Sequence, residues 1–412
     1  MHPTLTYPEA IVVGLFQGVT ELFPVSSLGH SVLIPALVGG SWKADLDVTA
    51  AQSPYLAFIV GMHVATAIAM IIYFWRDWLR IVRGFFGSFS QLTSPAPGTG
   101  RFDLRDTDQR LAWMIILGTI PVGLAGVALD HTVRTVFAKP IPTAIFLAIN
   151  GLILFFGEFM RRRRAGLDAQ QAVGGRQVTP VSRTAGYGSA AGPARAAGYG
   201  SAAEPYVGRE ARGNRDPYGS GDPYGNAAYR NGDPYRAGPQ HGGGDSGGSQ
   251  YGPGGRHAGR HASGQRAAKQ HEADIAVESD QRITTRLSWL SATALGASQI
   301  LALFPGISRD GSVMVSGLVR GLSRQDAARF SFLLSAPVIF AAGVFKGSEL
   351  LGPETAGIRG QILIGSVISG IGAYLALRFL DKYLSNPKRT LTPFAVYCLV
   401  MGIGSAIYLG IG

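Results

Sequence analysis

Two short segments of the sequence carry the side chains that could do chemistry. The first begins with Gln17 and Glu21, which are four residues apart and would share one face of a helix. A Pro-Val-Ser-Ser-Leu-Gly-His run follows and supplies Ser26, Ser27 and His30. Glu21 could act as a base or a metal ligand, Ser27 as a nucleophile, and His30 as an acid or a second nucleophile. A structural alternative, in which Glu21 or Ser26 caps the following helix, stays open.

The second segment, residues 305–312, places Arg309 in a glycine-flanked turn that would open a helix. Turn N–H groups and the positive helix end form an anion site, and a guanidinium can hold a phosphate through two parallel hydrogen bonds. The alternative is that Arg309 only pairs with Asp310 or Glu21. The candidate substrate-binding residues are Ser26, Gly306, Ser308, Arg309 and Gly311. Together the two segments suit phosphoryl transfer.

The secondary-structure elements that position these residues are predicted to be membrane helices, because the composition indicates a membrane protein. Of 412 residues, 46% are hydrophobic and only 15% are charged, unlike an average soluble domain. Six windows approach the roughly 20 apolar residues that cross a bilayer. They are 55–75, 111–129, 142–160, 330–345, 361–380 and 391–411.

Two further apolar segments, 10–38 and 290–319, are interrupted by Pro, Gly and Ser where the chemical residues lie. Both are predicted to be re-entrant, because non-helical backbone in a membrane must be covered by protein or water. The sequence therefore predicts an all-α integral membrane protein of six spans and two re-entrant helix pairs.

The placement of basic residues predicts the topology. A net charge of +11 alone would allow a nucleic-acid partner, but the excess flanks the apolar windows, so none is expected. Four arginines at positions 161–164 follow the third span and should be cytoplasmic. Both termini then lie outside, and the two re-entrant segments enter from opposite sides. Residues 17–31 and 299–312 align with one gap, which favours inverted repeats over chance similarity.

Residues 165–281 separate the first membrane repeat, 1–164, from the second, 282–412. This stretch is rich in Gly, Ala, Arg and Tyr and lacks apolar periodicity, so it is predicted to be a disordered cytoplasmic insertion. It could be a passive insertion or could recruit partners through Tyr and Arg.

Other polar residues in the apolar windows have simpler interpretations. His63 is expected to be a packing residue, and Glu158 is expected to pair with Arg161 at a helix end. The single cysteine, Cys398, excludes an intramolecular disulfide and a cysteine metal cluster.

The two chemical segments resemble those of the undecaprenyl-diphosphate phosphatases, the bacitracin-resistance membrane phosphatases of bacteria. The family's first motif is matched by Gln17, Glu21, Pro24, Ser26, Ser27, Gly29 and His30, and its second by Pro305, Gly306, Ser308, Arg309 and Gly311. Further similarity runs through residues 330–337 and 393–397. The resemblance covers essentially the whole membrane part.

The resemblance implies six spans with two re-entrant pairs, and removal of the terminal phosphate from undecaprenyl diphosphate at the outer face of the plasma membrane. This reaction recycles the carrier lipid for cell-wall synthesis and confers bacitracin resistance. It makes Glu21 an acid/base or metal-associated carboxylate, with Gln17 as a second ligand, and Arg309 the diphosphate clamp. Ser27 or His30 would be the nucleophile or the acid. A divalent cation, Mg²⁺ or Ca²⁺, is expected, since both prefer oxygen ligands.

Two departures from the family pattern bear on the site. Asp310 stands where the family usually has serine and would bring a negative charge beside Arg309, weakening phosphate affinity unless Asp310 binds the metal or pairs with Arg309. The threonine usually found soon after that serine is absent, with Ser312 and Val313 near its place. The insertion is a third departure, and its role is not implied by the family. Two competing hypotheses follow: a flippase for the carrier lipid, since inverted repeats are also typical of transporters, and a non-catalytic paralogue that recruits cell-wall enzymes. A second copy of the chain, in a homodimer, is a further possible partner.

Overall fold

The computed structural model describes residues 5–46, 54–93, 104, 106–132, 137, 139–174, 256–347, 350, 352 and 355–411. Most of these residues are helical, and none of them lies in a strand. The compact unit consists of residues Met1–Gln177 and Gly259–Gly412.

We number the helices in chain order. They are α1 (Tyr7–Leu22), α2 (Ser27–Val38), α3 (Gly40–Asp45), α4 (Pro54–Tyr73), α5 (Trp75–Thr93), α6 (Thr107–Thr132), α7 (Pro140–Gly174), α8 (Arg256–Arg286), α9 (Trp289–Ala297), α10 (Arg309–Val319), α11 (Arg324–Phe345), α12 (Arg359–Ser385) and α13 (Thr392–Ile411). A 3₁₀ helix, Ser298–Leu303, continues α9.

The prediction of six membrane-spanning helices is confirmed. Six helices in the described part of the chain are long and apolar enough to cross a membrane. They are Pro54–Tyr73, Thr107–Leu129, Pro140–Leu167, Arg324–Phe345, Arg359–Ser385 and Thr392–Ile411. Each contains most or all of one predicted apolar window.

The other two apolar segments are broken helices, as their prolines and glycines predicted. In the first, residues 23–25 form a turn between α1 and α2. In the second, residues 304–308 separate the 3₁₀ helix from α10. Gly306 has a φ of +109°, and a Cβ there would lie 2.4 Å from the carbonyl oxygen of Thr143 in α7. Only glycine lets the second break lie this close to α7.

The helices pack in a reciprocal pattern around one large hydrophobic core. The first helix of each broken pair lies along a span from the other half of the chain: α1 on α12, and α9 on α6. Likewise α4 packs on α12 and α11 on α6, while α7 packs along α13. Fully buried side chains such as Met114, Leu154 and Phe330 fill the core between them.

Three clusters of charged side chains tie the helices together. In the first, the Asp280 carboxylate accepts from Arg80 at 2.7 Å and from Arg329 at 2.7 Å, and Asp77 also pairs with both arginines. These contacts join α5, α8 and α11. Because Asp280 is fully buried, both of its oxygens need such partners.

In the second cluster, Glu158 pairs with Arg161 at 2.8 Å, as predicted, and also with Arg324 at 2.9 Å. In the third, Asp326 accepts from Ser279 and Arg282. The hydrogen bonds to Asp326 raise the pKa of the Arg282 guanidinium above its ordinary value. The last turns of α8 are therefore anchored to α11.

The predicted boundaries of the insertion need correction. Residues 165–174 continue α7, and residues 256–281 lie in α8, where Ser279 and Asp280 are buried. Composition hid this because α8 has few apolar residues and is held by ion pairs instead. Residues 175–255 lie outside the described residues, so their disorder stays a prediction.

Candidate active site

Glu21, at the end of α1, is the centre of a polar cluster formed by both breaks. One carboxylate oxygen, Oε1, accepts a short hydrogen bond from the Arg309 guanidinium. The other, Oε2, accepts from the Ser27 hydroxyl at 2.5 Å and from the Gln17 amide at 2.8 Å. A carboxylate buried this deeply must be compensated, and the partners of Glu21 come from both halves of the chain.

Ser27 and Arg309 occupy equivalent places, since each is the first residue of the helix that follows a break. The residue before each is a serine that caps the helix: Ser26 Oγ accepts from Gly29 N at 3.2 Å, and Ser308 Oγ accepts from Gly311 N at 3.1 Å. The positive ends of α2 and α10 therefore both point to the cluster.

Ser26 and Ser308 both have a structural role as helix caps. For Ser26, this role was the alternative to a part in the chemistry. Ser26 has a φ of +68°, and its hydroxyl also accepts from Gly306 N at 3.2 Å. The hydroxyl thus joins the first break to the second. Gly311 packs against Ser308 and Pro24 with no room to spare for a side chain. The predicted roles of these residues in substrate binding stay predictions.

Asn150, on α7, fastens the two breaks to each other. Its amide nitrogen donates to the carbonyl oxygen of Pro24 at 2.9 Å, and its amide oxygen accepts from Ser308 N at 3.0 Å. Asn150 is fully buried, and Cys398 of α13 lies 3.3 Å from the same amide nitrogen. One side chain thus satisfies a free backbone group in each turn.

His30 lies next to the cluster but is held by other partners. Its Nδ1 lies 2.6 Å from the carbonyl oxygen of Ser26, so Nδ1 carries a proton and donates. Its Nε2 lies 2.7 Å from the hydroxyl of Tyr397, whose ring stacks on the imidazole. His30 and Ser27 line one cavity between α1 and α2, whose other lining residues include Gln17 and Tyr55.

His63 was predicted to be a satisfied packing histidine, and the structure places it beside the cluster with a partner at each ring nitrogen. Its Nε2 lies 3.3 Å from Glu21 Oε2 and 3.3 Å from the Gln17 amide nitrogen, while its Nδ1 lies 2.9 Å from the carbonyl oxygen of Ile59. The side chain is one quarter exposed. A lone histidine in an apolar window gave no sign that α4 would bring it to α1.

Two polar atoms of the cluster are buried without a hydrogen-bond partner: the Gln17 amide oxygen Oε1 and the Arg309 Nε. One is an acceptor and the other a donor. Buried polar groups are nearly always satisfied in a folded protein, so these two atoms are candidates for contacts with water or a ligand.

Asp310 faces away from this cluster. Its Oδ1 accepts from the hydroxyls of Ser331 at 2.8 Å and Ser335 at 2.5 Å, both on α11. The expected negative charge therefore lies on the side of α10 that packs against α11, and no ion pair with Arg309 occurs among the described contacts. Its Oδ2 is buried and without a partner.

The family model for "Bacitracin resistance protein BacA" matches residues 10–184 and 265–404, which include every residue of the cluster. The chain belongs to this family. Residues 185–264 lie outside the match.

Relatives support the assignment over the whole chain. The chain is 44% identical over 411 residues to a protein of Mycolicibacterium paratuberculosis named undecaprenyl-diphosphatase, with 100% of both chains covered. It is 42% identical over 409 residues to undecaprenyl-diphosphatase 2 of Frankia alni, covering 98% of this chain and 97% of that one. A protein of Acidiphilium cryptum with the name undecaprenyl-diphosphatase is 30% identical over 406 residues, with 98% of both chains covered.

Asn150 and Tyr397 were not predicted as site residues. Asn150 is one polar residue in an apolar window, and its importance depends on two turns distant in sequence. Tyr397 lies in a segment that resembles the family, which was the only available signal. Polar side chains in predicted spans, treated as candidates by default, would have included Asn150 and His63.

Proposed function

We propose that the protein hydrolyses undecaprenyl diphosphate to undecaprenyl phosphate and inorganic phosphate. The observation that carries the proposal is Glu21, which accepts hydrogen bonds from a serine of its own break and an arginine of the other. The names of the relatives give the substrate, and the cluster supplies a base, a hydroxyl and an anion clamp.

In the proposed reaction Ser27 attacks the terminal phosphorus. Its hydroxyl already donates to Glu21, so Glu21 can take the proton as the Ser27 Oγ–P bond forms. The P–O bond to the bridging oxygen breaks, and undecaprenyl phosphate leaves. Water then attacks the phosphorus of the phosphoserine as the Oγ–P bond breaks, and inorganic phosphate leaves. Glu21 returns its proton to the Ser27 oxygen, takes one proton from the water and releases it to solvent, which restores the carboxylate. His30 is the weaker candidate nucleophile, because both of its ring nitrogens are engaged.

Arg309 would bind the diphosphate. Its Nε is a buried donor without a partner, and its Nη2 donates to Glu21. A phosphate at this place would receive the Nε hydrogen bond and the positive ends of α2 and α10. The guanidinium would stabilise the charge that develops on the phosphoryl oxygens.

A divalent cation, Mg²⁺ or Ca²⁺, fits the donors at Glu21 and Gln17. The unpartnered Gln17 Oε1 and the Glu21 carboxylate are hard oxygen donors, and substrate oxygens and water would complete the shell. Among the described residues no cluster of three or more His, Cys, Asp or Glu side chains could hold a metal alone. When bound, the cation would neutralise phosphate charge.

The membrane arrangement we propose has the two broken pairs as re-entrant segments in inverted repeat, with the site facing outside the plasma membrane. The reciprocal packing of α1 on α12 and α9 on α6 supports a twofold relation between the halves. The arginines after the third span support a cytoplasmic insertion. Such a site would recycle the carrier lipid for cell-wall synthesis and confer bacitracin resistance. A homodimer, and cell-wall enzymes bound through the insertion, stay predictions.

Phosphate release from undecaprenyl diphosphate by the detergent-purified protein tests the proposal. We expect release that a chelator removes and Mg²⁺ or Ca²⁺ restores. A folded protein that binds the lipid without releasing phosphate would contradict the enzymatic function. Translocation of the intact lipid in vesicles would then favour the flippase, and retained cell-wall partners without either activity would favour the scaffold.

A further inference from the structure

Helix α5 exposes a continuous apolar stripe. Trp75, Leu79, Val82 and Phe86 are 52%, 44%, 46% and 66% exposed, respectively. Their spacing of four, three and four residues places them within an arc of about 60° on a helix with 3.6 residues per turn. A stripe this regular is typical of a helix that buries one face.

The opposite face of α5 is already occupied by protein. Arg80 binds Asp108 of α6 and Asp280 of α8, and the Ser88 hydroxyl accepts from the Trp113 indole at 3.0 Å. The packing of α5 therefore leaves the apolar stripe on its outer side.

The contacts with α6 also fix the level of α5. Arg80 meets Asp108 and Ser88 meets Trp113, so α5 lies beside the first two turns of α6. Trp113 is the seventh residue of a span that begins at Thr107. Only Phe74 separates α4 from α5. The contacts with Asp108 and Trp113 hold α5 at the level of the first turns of α6.

Basic side chains lie along one edge of the stripe. Arg76 and Arg83 are exposed, seven residues apart, and so project from the same side of α5. The Arg76 guanidinium lies 5.3 Å from the centroid of the Trp75 ring. An apolar stripe edged with arginines is suited to an interface between acyl chains and anionic headgroups. The exposed Ile72 at the end of α4 continues this lipid-facing surface.

We propose that α5 lies in the plane of the membrane surface, with its stripe in the acyl boundary and Arg76 and Arg83 on anionic lipid headgroups. The occupant of the stripe is thus the lipid leaflet on the side where α4 ends. This proposal is independent of the phosphatase activity.

Spin labels on the full-length protein in nanodiscs test the proposal. Labels are attached singly at Leu79→Cys, Val82→Cys and Phe86→Cys, with Gly87→Cys as the matched position, exposed but outside the stripe. The buried Cys398 stays in place, and unlabelled background is checked in the parent protein. We expect the stripe labels to collide with oxygen and not with a water-soluble nickel chelate, and the label at position 87 to show the reverse. Stripe labels open to nickel, or shielded from both reagents by protein such as a second copy, would overturn the proposal.

The arginines are tested in discs of phosphatidylcholine with and without phosphatidylglycerol. In the parent protein the label at position 86 should be immersed more deeply when phosphatidylglycerol is present. Each arginine at an anionic surface favours the bound position by roughly fivefold. The double variant Arg76→Gln/Arg83→Gln should lose the difference between the two lipids. An unchanged difference in that variant would refute the role of the arginines.

Discussion

Ser26 and Ser27 are adjacent hydroxyls with different surroundings, and this difference is testable. Ser27 donates to Glu21, whereas Ser26 accepts from Gly29 N and Gly306 N. We expect Ser27→Ala to lower kcat on the order of 10³-fold without a change in Tm, because it removes the attacking oxygen. Ser26→Ala should lower the free energy of unfolding by about 1–2 kcal/mol, as the loss of a helix cap does, and should keep most of the activity.

The measurements are initial rates of phosphate release and thermal unfolding in the same detergent. If Ser27→Ala retained wild-type kcat, attack by Ser27 would be refuted. If Ser26→Ala were as inactive as Ser27→Ala at unchanged stability, Ser26 would belong to the chemistry.

At the scale of residues, the sequence predicted that the polar residues in the two broken apolar segments would form one cluster. Gln17, Glu21, Ser27 and Arg309 do come together. The sequence did not connect His63 and Asn150 with these residues, because each is a single polar residue in an apolar span. Their positions depend on packing between helices that are far apart in sequence.

At the scale of elements, Asn150 of α7 is the joint between the two breaks. Asn150→Ala would leave Pro24 O and Ser308 N without their partner in a buried place. Each such loss costs about 1–3 kcal/mol. We expect a clearly lower Tm, and a raised KM because Ser27 and Arg309 lose their mutual alignment. Asn386→Ala is the control, since the Asn386 amide oxygen accepts from Lys388 N in an exposed turn, and its loss should change both quantities far less. An Asn150→Ala protein as stable and as active as wild type would contradict this role.

The ion pairs among α5, α8 and α11 are predicted to matter for stability. Arg329→Met leaves the buried Asp280 with fewer partners, and breaking a buried pair costs about 3–5 kcal/mol. Thermal unfolding should show the loss, whereas Arg320→Met, at an exposed position, should be near neutral. Equal Tm values for the two variants would show that the cluster contributes little.

The spans and breaks were predictable because apolar length and Pro/Gly interruptions are local properties. The ends of the insertion were not, since residues 256–281 are polar and α8 gains its stability from Arg80, Arg329 and Asp326 elsewhere in the chain. Propensity and composition do not report such contacts.

At the scale of the whole molecule, the fold should tolerate loss of the central part of the insertion but not loss of its helical ends. Replacing residues 178–255 with a Gly/Ser linker of about 20 residues should keep phosphate release and Tm. Removing 165–281 instead should destabilise the protein, because it deletes Ser279 and Asp280 together with their ion pairs. Phosphate release and thermal unfolding of both proteins check this. Loss of activity in the shorter deletion would give the insertion a direct role in the reaction.

The central claim is that one active site is assembled from both halves of the chain. The most direct test is a double-mutant cycle of Glu21→Gln and Arg309→Met, read as initial rates of phosphate release from undecaprenyl diphosphate. Since the two side chains act on one substrate and bind each other, we expect each single variant to lose nearly all activity and the double variant to lose little more. Wild-type rates in either single variant, or losses that simply multiply, would contradict the shared site.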